Sequence, residues 1–230
     1  MTMDEILGWM PRLLGGLKFT VLLTVMSFAL SLVIGLVIAA MRLNPALKLL
    51  YIPATVYLET FRCTPMILQL FFAYFALPML GINLSPMTAG VLALGMCIGA
   101  YLSEVFRAAI LAVDRGQWEA SSALAMSWSE TMRYTILPQA IRIALPSTGN
   151  YAIALFKDSA LASTVSVVEL LFAAQLIASD TFQYITVYSI IGVFYAAVCY
   201  PTGLAIRRLE RRLDITLKRS SKPAIAVEPA

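Results

Sequence analysis

The sequence predicts an all-α integral membrane protein with about five transmembrane helices. Sixty per cent of its 230 residues are apolar, 13% are charged, and the mean hydropathy is +0.82. Soluble domains have about 45–50% apolar and about 25% charged residues. Because one span needs about 20 residues, the length suits about five spans with short loops. We therefore expect a single membrane domain.

Polar interruptions divide the apolar sequence into its predicted spans. We place these spans at residues 17–41, about 65–80, 87–113, about 139–156 and about 182–206. Residues 47–62 carry charges, so we expect them to be partly interfacial or buried in protein. Residues 163–177 are only moderately apolar, which favours a re-entrant or surface helix.

The flanking segments differ in character from the spans. Residues 1–16 place apolar side chains on one side, which predicts an amphipathic helix lying at the membrane interface. Residues 17–213 form the predicted transmembrane domain, with a polar segment at 114–137 between two of its spans. Residues 214–230 form a basic tail that we expect to be disordered, with a role in topology and lipid contact.

The distribution of positive charge predicts the orientation in the membrane. The end of the chain is rich in lysine and arginine, namely Arg207, Arg208, Arg211, Arg212, Lys218, Arg219 and Lys222. The polar segment carries Arg115 and Arg133, and the loop after the first span carries Arg42 and Lys48. With five spans, this bias places the C-terminus and the polar segment in the cytoplasm and the N-terminus outside.

The polar segment itself predicts two short helices that meet at a bend. Residues 117–125 are rich in small side chains, which allow another protein surface to approach closely. Ser127 and Glu130 have the spacing of a capping box, and Pro138 marks the next helix boundary. We place the bend near Met126. On these features alone, the segment is either a docking element or an ordinary loop helix.

The same segment resembles the EAA loop of the permease subunits of ABC importers. Glu119, Ala120 and Ser121 stand at the E-A-A positions, Ala125 follows at the usual glycine, and the sequence ILPQA begins at Ile136. Residues 57–65, YLETFRCTP, and the sequence GAYLSE that ends at Glu104 resemble the polar amino acid uptake branch. Serine replaces the second alanine of the motif, cysteine replaces glycine at Cys63, and alanine at position 125 makes a left-handed turn less favourable.

The resemblance implies a MetI-like fold that dimerises with a second copy or a paralogue around a central pathway. It also implies a separate nucleotide-binding ATPase subunit, which binds ATP and magnesium, and an extracytoplasmic binding protein that delivers an amino acid. This chain contains no phosphate loop, and we expect it to bind no cofactor, metal or nucleic acid and to have no catalytic residue. The residues expected to couple to the ATPase are Gly116, Glu119, Ala120, Ser121, Ala125, Leu137 and Pro138.

Polar residues within the predicted spans indicate a structural pair and a candidate pathway. Glu104 and Arg107 share one helix face and are expected to pair. In the fourth span, Pro146, Gly149 and Asn150 are expected to interrupt the helix, so this stretch should be buried in protein or line a cavity. The candidate substrate residues are Asn150, Lys157, Asp158 and Ser159. Asp158 either receives an ammonium group of the substrate or serves as a contact of Lys157 or a helix cap.

Two other classes of protein fit the sequence less well. A secondary transporter driven by an ion gradient would have internal repeats and more spans, and a membrane enzyme would need a nucleophile, a metal set or paired carboxylates. The chain contains no histidine, and its three cysteines lack a metal-binding spacing. The identity of the amino acid and the choice between homodimer and heterodimer stay open at this point.

Overall fold

A computed structural model describes residues 3–218, and its regular structure there is entirely helical. The α-helices are α1 (Met3–Met41), α2 (Lys48–Cys63), α3 (Met66–Phe71), α4 (Pro86–Leu111), α5 (Arg115–Ala123), α6 (Trp128–Glu130), α7 (Leu137–Asp158), α8 (Leu170–Thr181) and α9 (Tyr184–Lys218). Some of them are extended by π-helix, at Phe72–Ala76 and Thr131–Ile136, or by 3₁₀-helix, at Leu77–Leu80 and Ser159–Val165. This confirms the predicted all-α fold.

The number of spans agrees with the sequence prediction. In the described part of the chain, three helices are long and apolar enough to cross a membrane, and two bent helix pairs raise the total to five if each pair is one span. One pair is Lys48–Cys63 with Met66–Leu80, bent by 107°, and the other is Trp128–Val165 with Leu170–Thr181, bent by 52°. The first bend falls at Pro65, where we expected the crossing part of the second span to begin.

The central packing of the molecule joins α1 and α4 through three glycines. A Cβ atom added to Gly95 would lie 2.8 Å from Leu30, and one added to Gly99 would lie 2.9 Å from Ile34. In the other direction, a Cβ on Gly35 would lie 3.0 Å from Leu102. Each glycine thus receives a large side chain of the facing helix, the arrangement by which helices in lipid gain van der Waals contact.

The contacts between helices show that successive spans run in alternating directions. Leu30 and Ile34 of α1 meet Gly95 and Gly99 of α4 in the same order, so these two helices are parallel.

The contacts of α7 show the opposite direction. Tyr151 stacks on Tyr101, whereas the later Ala162 lies near the earlier Gly90, so this span is antiparallel to α4. α9 in turn is antiparallel to α7, because Gly149 approaches Ile206 while Phe156 meets Tyr195. The loop after α1, the segment between α4 and α7, and the end of α9 consequently lie at one end of the molecule.

The N-terminal segment is a correction to the sequence prediction. Residues 1–16 were expected to form a separate interfacial helix, but from Met3 onward they belong to one continuous helix with the first span. The reason is tertiary packing, since Leu13 is fully buried in a cluster with residues of α8 and α9, and Gly16 lies directly against α8. The face of the N-terminal segment that contains Leu13 and Gly16, which we expected at the membrane interface, therefore packs against protein.

Three further predictions about helix boundaries were wrong. The helix continues through Pro146, Gly149 and Asn150, because Gly149 makes room for Ile206 of α9 and does not open a break. The helix expected at 163–177 begins only at Leu170 and extends along α1. The tail expected from residue 214 is helical as far as Lys218, and the rest of that predicted disordered tail, 219–230, lies outside the described residues.

The close contact of α1 with α8 predicts different effects for two adjacent glycines. A Cβ on Gly16 would lie 2.9 Å from both the Ala173 Cβ and the Glu169 carbonyl oxygen, whereas a Cβ on Gly15 meets nothing within 4 Å. We expect Gly16→Ala to lower the free energy of unfolding by about 1–3 kcal/mol through overpacking. Gly15→Ala should leave it unchanged or raise it by up to about 1 kcal/mol.

Thermal unfolding of the purified protein in detergent, followed by intrinsic fluorescence, measures both effects. Gly15→Ala is the matched control because it makes the same chemical change one position away. Equal melting temperatures for the two variants would contradict the packing of α1 against α8.

Candidate functional site

The segment between α4 and α7 forms a bend with a Schellman motif. Ala125 has a φ of 55°, in the left-handed region, and its amide donates to the carbonyl of Ser122 while the amide of Met126 donates to Ser121. These two bonds are the ones that close a helix whose next residue is left-handed, usually a glycine. Ala125 therefore adopts the left-handed conformation, which we expected to be less favourable for alanine than for glycine.

The helix after the bend begins with the predicted capping box, which the structure confirms. The Ser127 amide donates to the Glu130 carboxylate at 2.8 Å, and the Glu130 amide donates to the Ser127 hydroxyl at 3.3 Å. On the other side of the bend, the Asp114 carboxylate caps α5 by accepting from the Gly116 amide at 2.8 Å. Both short helices therefore have defined starting points.

Two side-chain hydrogen bonds fasten α5 to the helix that follows. The Ser121 hydroxyl lies 3.2 Å from that of Thr135, and the Gln139 amide donates to Gln117 at 3.2 Å. Ser121 is buried, so it faces this chain and not a partner. The serine that departs from the family motif supplies a bond that alanine would lack. It was among the residues expected to couple to the ATPase.

The outer surface of the segment carries apolar and charged side chains. Leu124, Trp128 and Tyr134 are 76%, 67% and 66% exposed. Glu119 is exposed and pairs with Arg115 one turn earlier, at 3.1 Å. Such large apolar side chains, on a segment between spans, form a surface of the kind that binds another protein.

The inner side of the segment packs on the end of α4. Ile110 of α4 and Val113, two residues beyond its end, belong to a buried cluster with Met132 and Ile136, and Trp118 packs against it. The segment is consequently anchored to the central helix of the molecule.

A charged cluster lies close to the same end of α4. The structure brings Arg107 to 3.5 Å from the Glu104 carboxylate, and Arg42 from the end of α1 makes a second ion pair with Glu104. Arg42 is only 8% exposed. It also donates to the Thr55 hydroxyl at 3.3 Å and lies over the ring of Tyr51.

Sequence reasoning missed the role of Arg42. It counted this residue as a loop charge that sets the orientation, because no acidic side chain lies nearby in the sequence. In the structure, Arg42 joins α1, α2 and α4.

The candidate pathway residues on α7 are only partly brought together. Asn150 and Lys157 are exposed and lie seven residues apart, on nearly the same helix face. Asp158 is half-buried and is the last residue of α7. No ion pair between Lys157 and Asp158 is present in the described part of the chain. The Ser159 hydroxyl is buried and donates to the Phe156 carbonyl, so it is committed to the helix end.

The fold and these features define an integral membrane protein with a capped polar segment at one end, and comparison with known proteins gives its family. The model of the binding-protein-dependent transport system inner membrane component matches residues 17–215. The probable amino-acid ABC transporter permease protein YckA of Bacillus subtilis is 39% identical, over 88% of this chain and 89% of the relative. The glutamine transport system permease protein GlnP of Escherichia coli is 38% identical, over 89% of this chain and 94% of the relative.

Solved structures agree with this assignment. A crystal structure of an amino acid ABC transporter with histidines aligns with a TM-score of 0.86 and 35% identity, over 92% of this chain and 99% of that one. The MetNI methionine ABC transporter shares the fold, with a TM-score of 0.68 and 20% identity, over 93% of this chain and 99% of that one. The chain belongs to the family of inner-membrane components of binding-protein-dependent transport systems, and it is similar to amino-acid ABC permeases.

The left-handed alanine predicts a gain in local stability on substitution. We expect Ala125→Gly to stabilise the bend by about 1 kcal/mol, since glycine adopts this conformation without the Cβ clash. Hydrogen–deuterium exchange of peptides covering residues 114–137 should become slower. Ala123→Gly, within α5, is the control and should make exchange faster, because glycine costs about 1 kcal/mol inside a helix. Faster exchange in both variants would show that the bend is not strained.

The charged cluster predicts an order of effects for its two arginines. Arg42→Gln and Arg107→Gln each leave Glu104 with one cation. We expect the first to cost about 1.5–3 kcal/mol of unfolding free energy, because the bond to Glu104 is charged and buried on the Arg42 side. The second should cost less, since Arg107 is more exposed. Melting temperatures in detergent test this order, which equal shifts would contradict.

Proposed function

We propose that this chain is the membrane-spanning permease subunit of an ABC importer for a polar amino acid. The observation that carries the proposal is the coupling segment, residues 114–137. It is capped, fastened by side-chain hydrogen bonds and seated on α4, so a force applied to its outer surface moves the end of a span. A rigid element of this kind suits the transmission of ATP-driven closure.

The coupling segment presents most of its predicted contact residues to a partner. Gly116, Glu119, Ala120, Ala125, Leu137 and Pro138 are all exposed. We propose that they contact a nucleotide-binding ATPase subunit together with Leu124 and Trp128, whose large apolar surfaces supply most of the binding energy. Ser121 acts from within, by holding α5 in place. ATP and magnesium bind the ATPase and not this chain.

Charge and the alternating directions of the spans support a proposal for the orientation. The end of the molecule that contains the coupling segment also contains Lys48, Arg207 and Arg208, which the positive-inside rule assigns to the cytoplasm. We therefore place the C-terminus in the cytoplasm and the N-terminus outside. Docking of a cytoplasmic ATPase requires the same arrangement.

The substrate class rests on the relatives and on one carboxylate. The names of the similar permeases include glutamine and L-cystine transport, so we propose an amino acid as the substrate here. Asp158 is half-buried at the end of α7 without an ion-pair partner in the described residues. We assign it to an ammonium group of the substrate, with Asn150 and Lys157 along the same path. An extracytoplasmic binding protein delivers the substrate, and a second copy or a paralogue of this chain completes the transporter.

Capture of the ATPase tests the coupling segment. Tagged chain is purified from its native membrane in mild detergent, and nucleotide-binding subunits are identified by mass spectrometry. Glu119→Lys should lower the yield of ATPase about tenfold or more, the effect of about 1.4 kcal/mol of binding energy. Glu210→Lys, the same charge reversal at an exposed position of α9, should not. Equal yields of the ATPase with both variants would show that Glu119 does not contribute to the interface.

Reconstitution separates the importer from the alternative of an ion-driven transporter, which none of the comparisons supports. Proteoliposomes that contain this chain, its ATPase and its binding protein should accumulate a labelled amino acid only with ATP in the ATPase compartment. Accumulation by the chain alone with an ion gradient would overturn the proposal.

A further inference from the structure

Arg62 is an exposed residue next to the bend of the second predicted span. It is one residue from the end of α2, immediately before the 107° bend to Met66–Leu80. Its guanidinium carbon is 5.8 Å from the ring centre of Tyr101 in α4. That ring stacks on Tyr151 of α7, with centres 5.9 Å apart and an angle of 26° between planes. Three helices thus contribute to one cationic site.

The charge of Arg62 is not neutralised within the described residues. None of the ion pairs or hydrogen bonds found there uses its guanidinium. Glu59, one turn earlier, instead lies near the Cys63 thiol. The contrast with Arg42 and Arg107 is direct, because both of these contact Glu104.

An unpaired cation within membrane spans is costly, and such residues face a pathway or a ligand. The guanidinium carbon of Arg62 lies over the ring of Tyr101, at a distance typical of a cation–π contact. Arginine carries its N–H donors in a planar fork that binds a carboxylate through two parallel hydrogen bonds. A lysine at this position would offer only a point charge. The site therefore has the charge and the donors that a carboxylate ligand requires.

We infer that Arg62, held by the stacked rings of Tyr101 and Tyr151, binds the α-carboxylate of the transported amino acid. The inference rests on the proposed function and assigns a specificity-determining residue to it. Asp158 lies seven residues after Tyr151 on nearly the same face of α7, about 10 Å further along the helix. The two charges of opposite sign match a zwitterion, and the arginine excludes amines that lack a carboxylate.

The test measures binding in the absence of the binding protein, whose own selectivity would otherwise dominate. Uptake assays with the complete transporter first show which of L-glutamine, L-cystine and L-histidine the wild type imports. The detergent-purified complex of this chain with its ATPase is then titrated with that amino acid in labelled form, and with its α-carboxamide as competitor. The readout is the ratio of the two affinities, which a loss of stability alone does not change.

The wild-type complex should prefer the acid to the amide by about tenfold or more, about the contribution of one charged hydrogen-bonded pair. Arg62→Gln should bring the ratio close to one, and Arg62→Lys should give an intermediate value. Arg142→Gln, which removes an exposed arginine of α7, should retain the wild-type ratio. Elution in gel filtration and basal ATP hydrolysis show that each variant complex is assembled.

The possible failures are distinguishable. Import of none of the three amino acids would overturn the proposed substrate class and this site with it. Import by the wild type with an unchanged ratio in Arg62→Gln would overturn the site alone, as would the absence of measurable binding by the wild-type complex. If Lys157→Gln lost the preference for the acid over the amide and Arg62→Gln kept it, the substrate carboxylate would be assigned to Lys157 and not to Arg62. Separation of two permease copies by Arg62→Gln would show that the arginine joins subunits.

Discussion

The close contact between α1 and α4 is the constraint on which the rest of the structure depends. Hydrocarbon gives two helices no hydrophobic reason to associate, so their stability must come from van der Waals contact at short range. Gly95 and Gly99 allow that approach from one side and Gly35 from the other. The contact fixes the two helices in parallel and in register. The second span and α7 then pack against a pair whose relative depth is already set, and α9 packs on α7 and α8.

That register determines where the charged cluster lies. Only with α1 and α4 at this depth does Arg42, just beyond the end of α1, reach Glu104. The same arginine meets Thr55, which fastens the start of the second span to the pair. Further along, Ile110 near the end of α4 and Val113 just beyond it support the coupling segment. A displacement of that segment therefore acts on a rigid unit of three helices, and not on one isolated span.

The sequence predicted the features that depend on local chemistry. Apolar stretches located the spans, and the spacing of Ser127 and Glu130 located a helix start that needs only its own side chains. It failed where distant packing decides. Gly16 and Gly149 were interpreted as breaks or boundaries, yet in the structure they allow α8 and α9 to approach. A single sequence cannot distinguish a glycine that interrupts a helix from one that lets another helix come close.

The candidate site shows the same division. The bend near Met126 was predictable from its small residues and its capping box, but the inward position of Ser121 depends on Thr135, across the bend. Arg42 was unpredictable as a partner, because Glu104 lies 62 residues away in the chain. Arg62 was noticed only as part of a motif. Its significance comes from the two tyrosines that α4 and α7 place beside it.

The intramembrane charges consequently divide into two groups with different physical purposes. Arg42, Glu104 and Arg107 satisfy one another, so their charge contributes to holding helices together and is unavailable to a ligand. Arg62 and Asp158 form no ion pair in the described residues, although the charge of Lys157 acts on Asp158. A charge without an ion pair is costly in a membrane. In the proposed site, a zwitterion bound between these two residues lowers both costs at once. Transport requires that this binding be temporary, which a site completed only by its substrate provides.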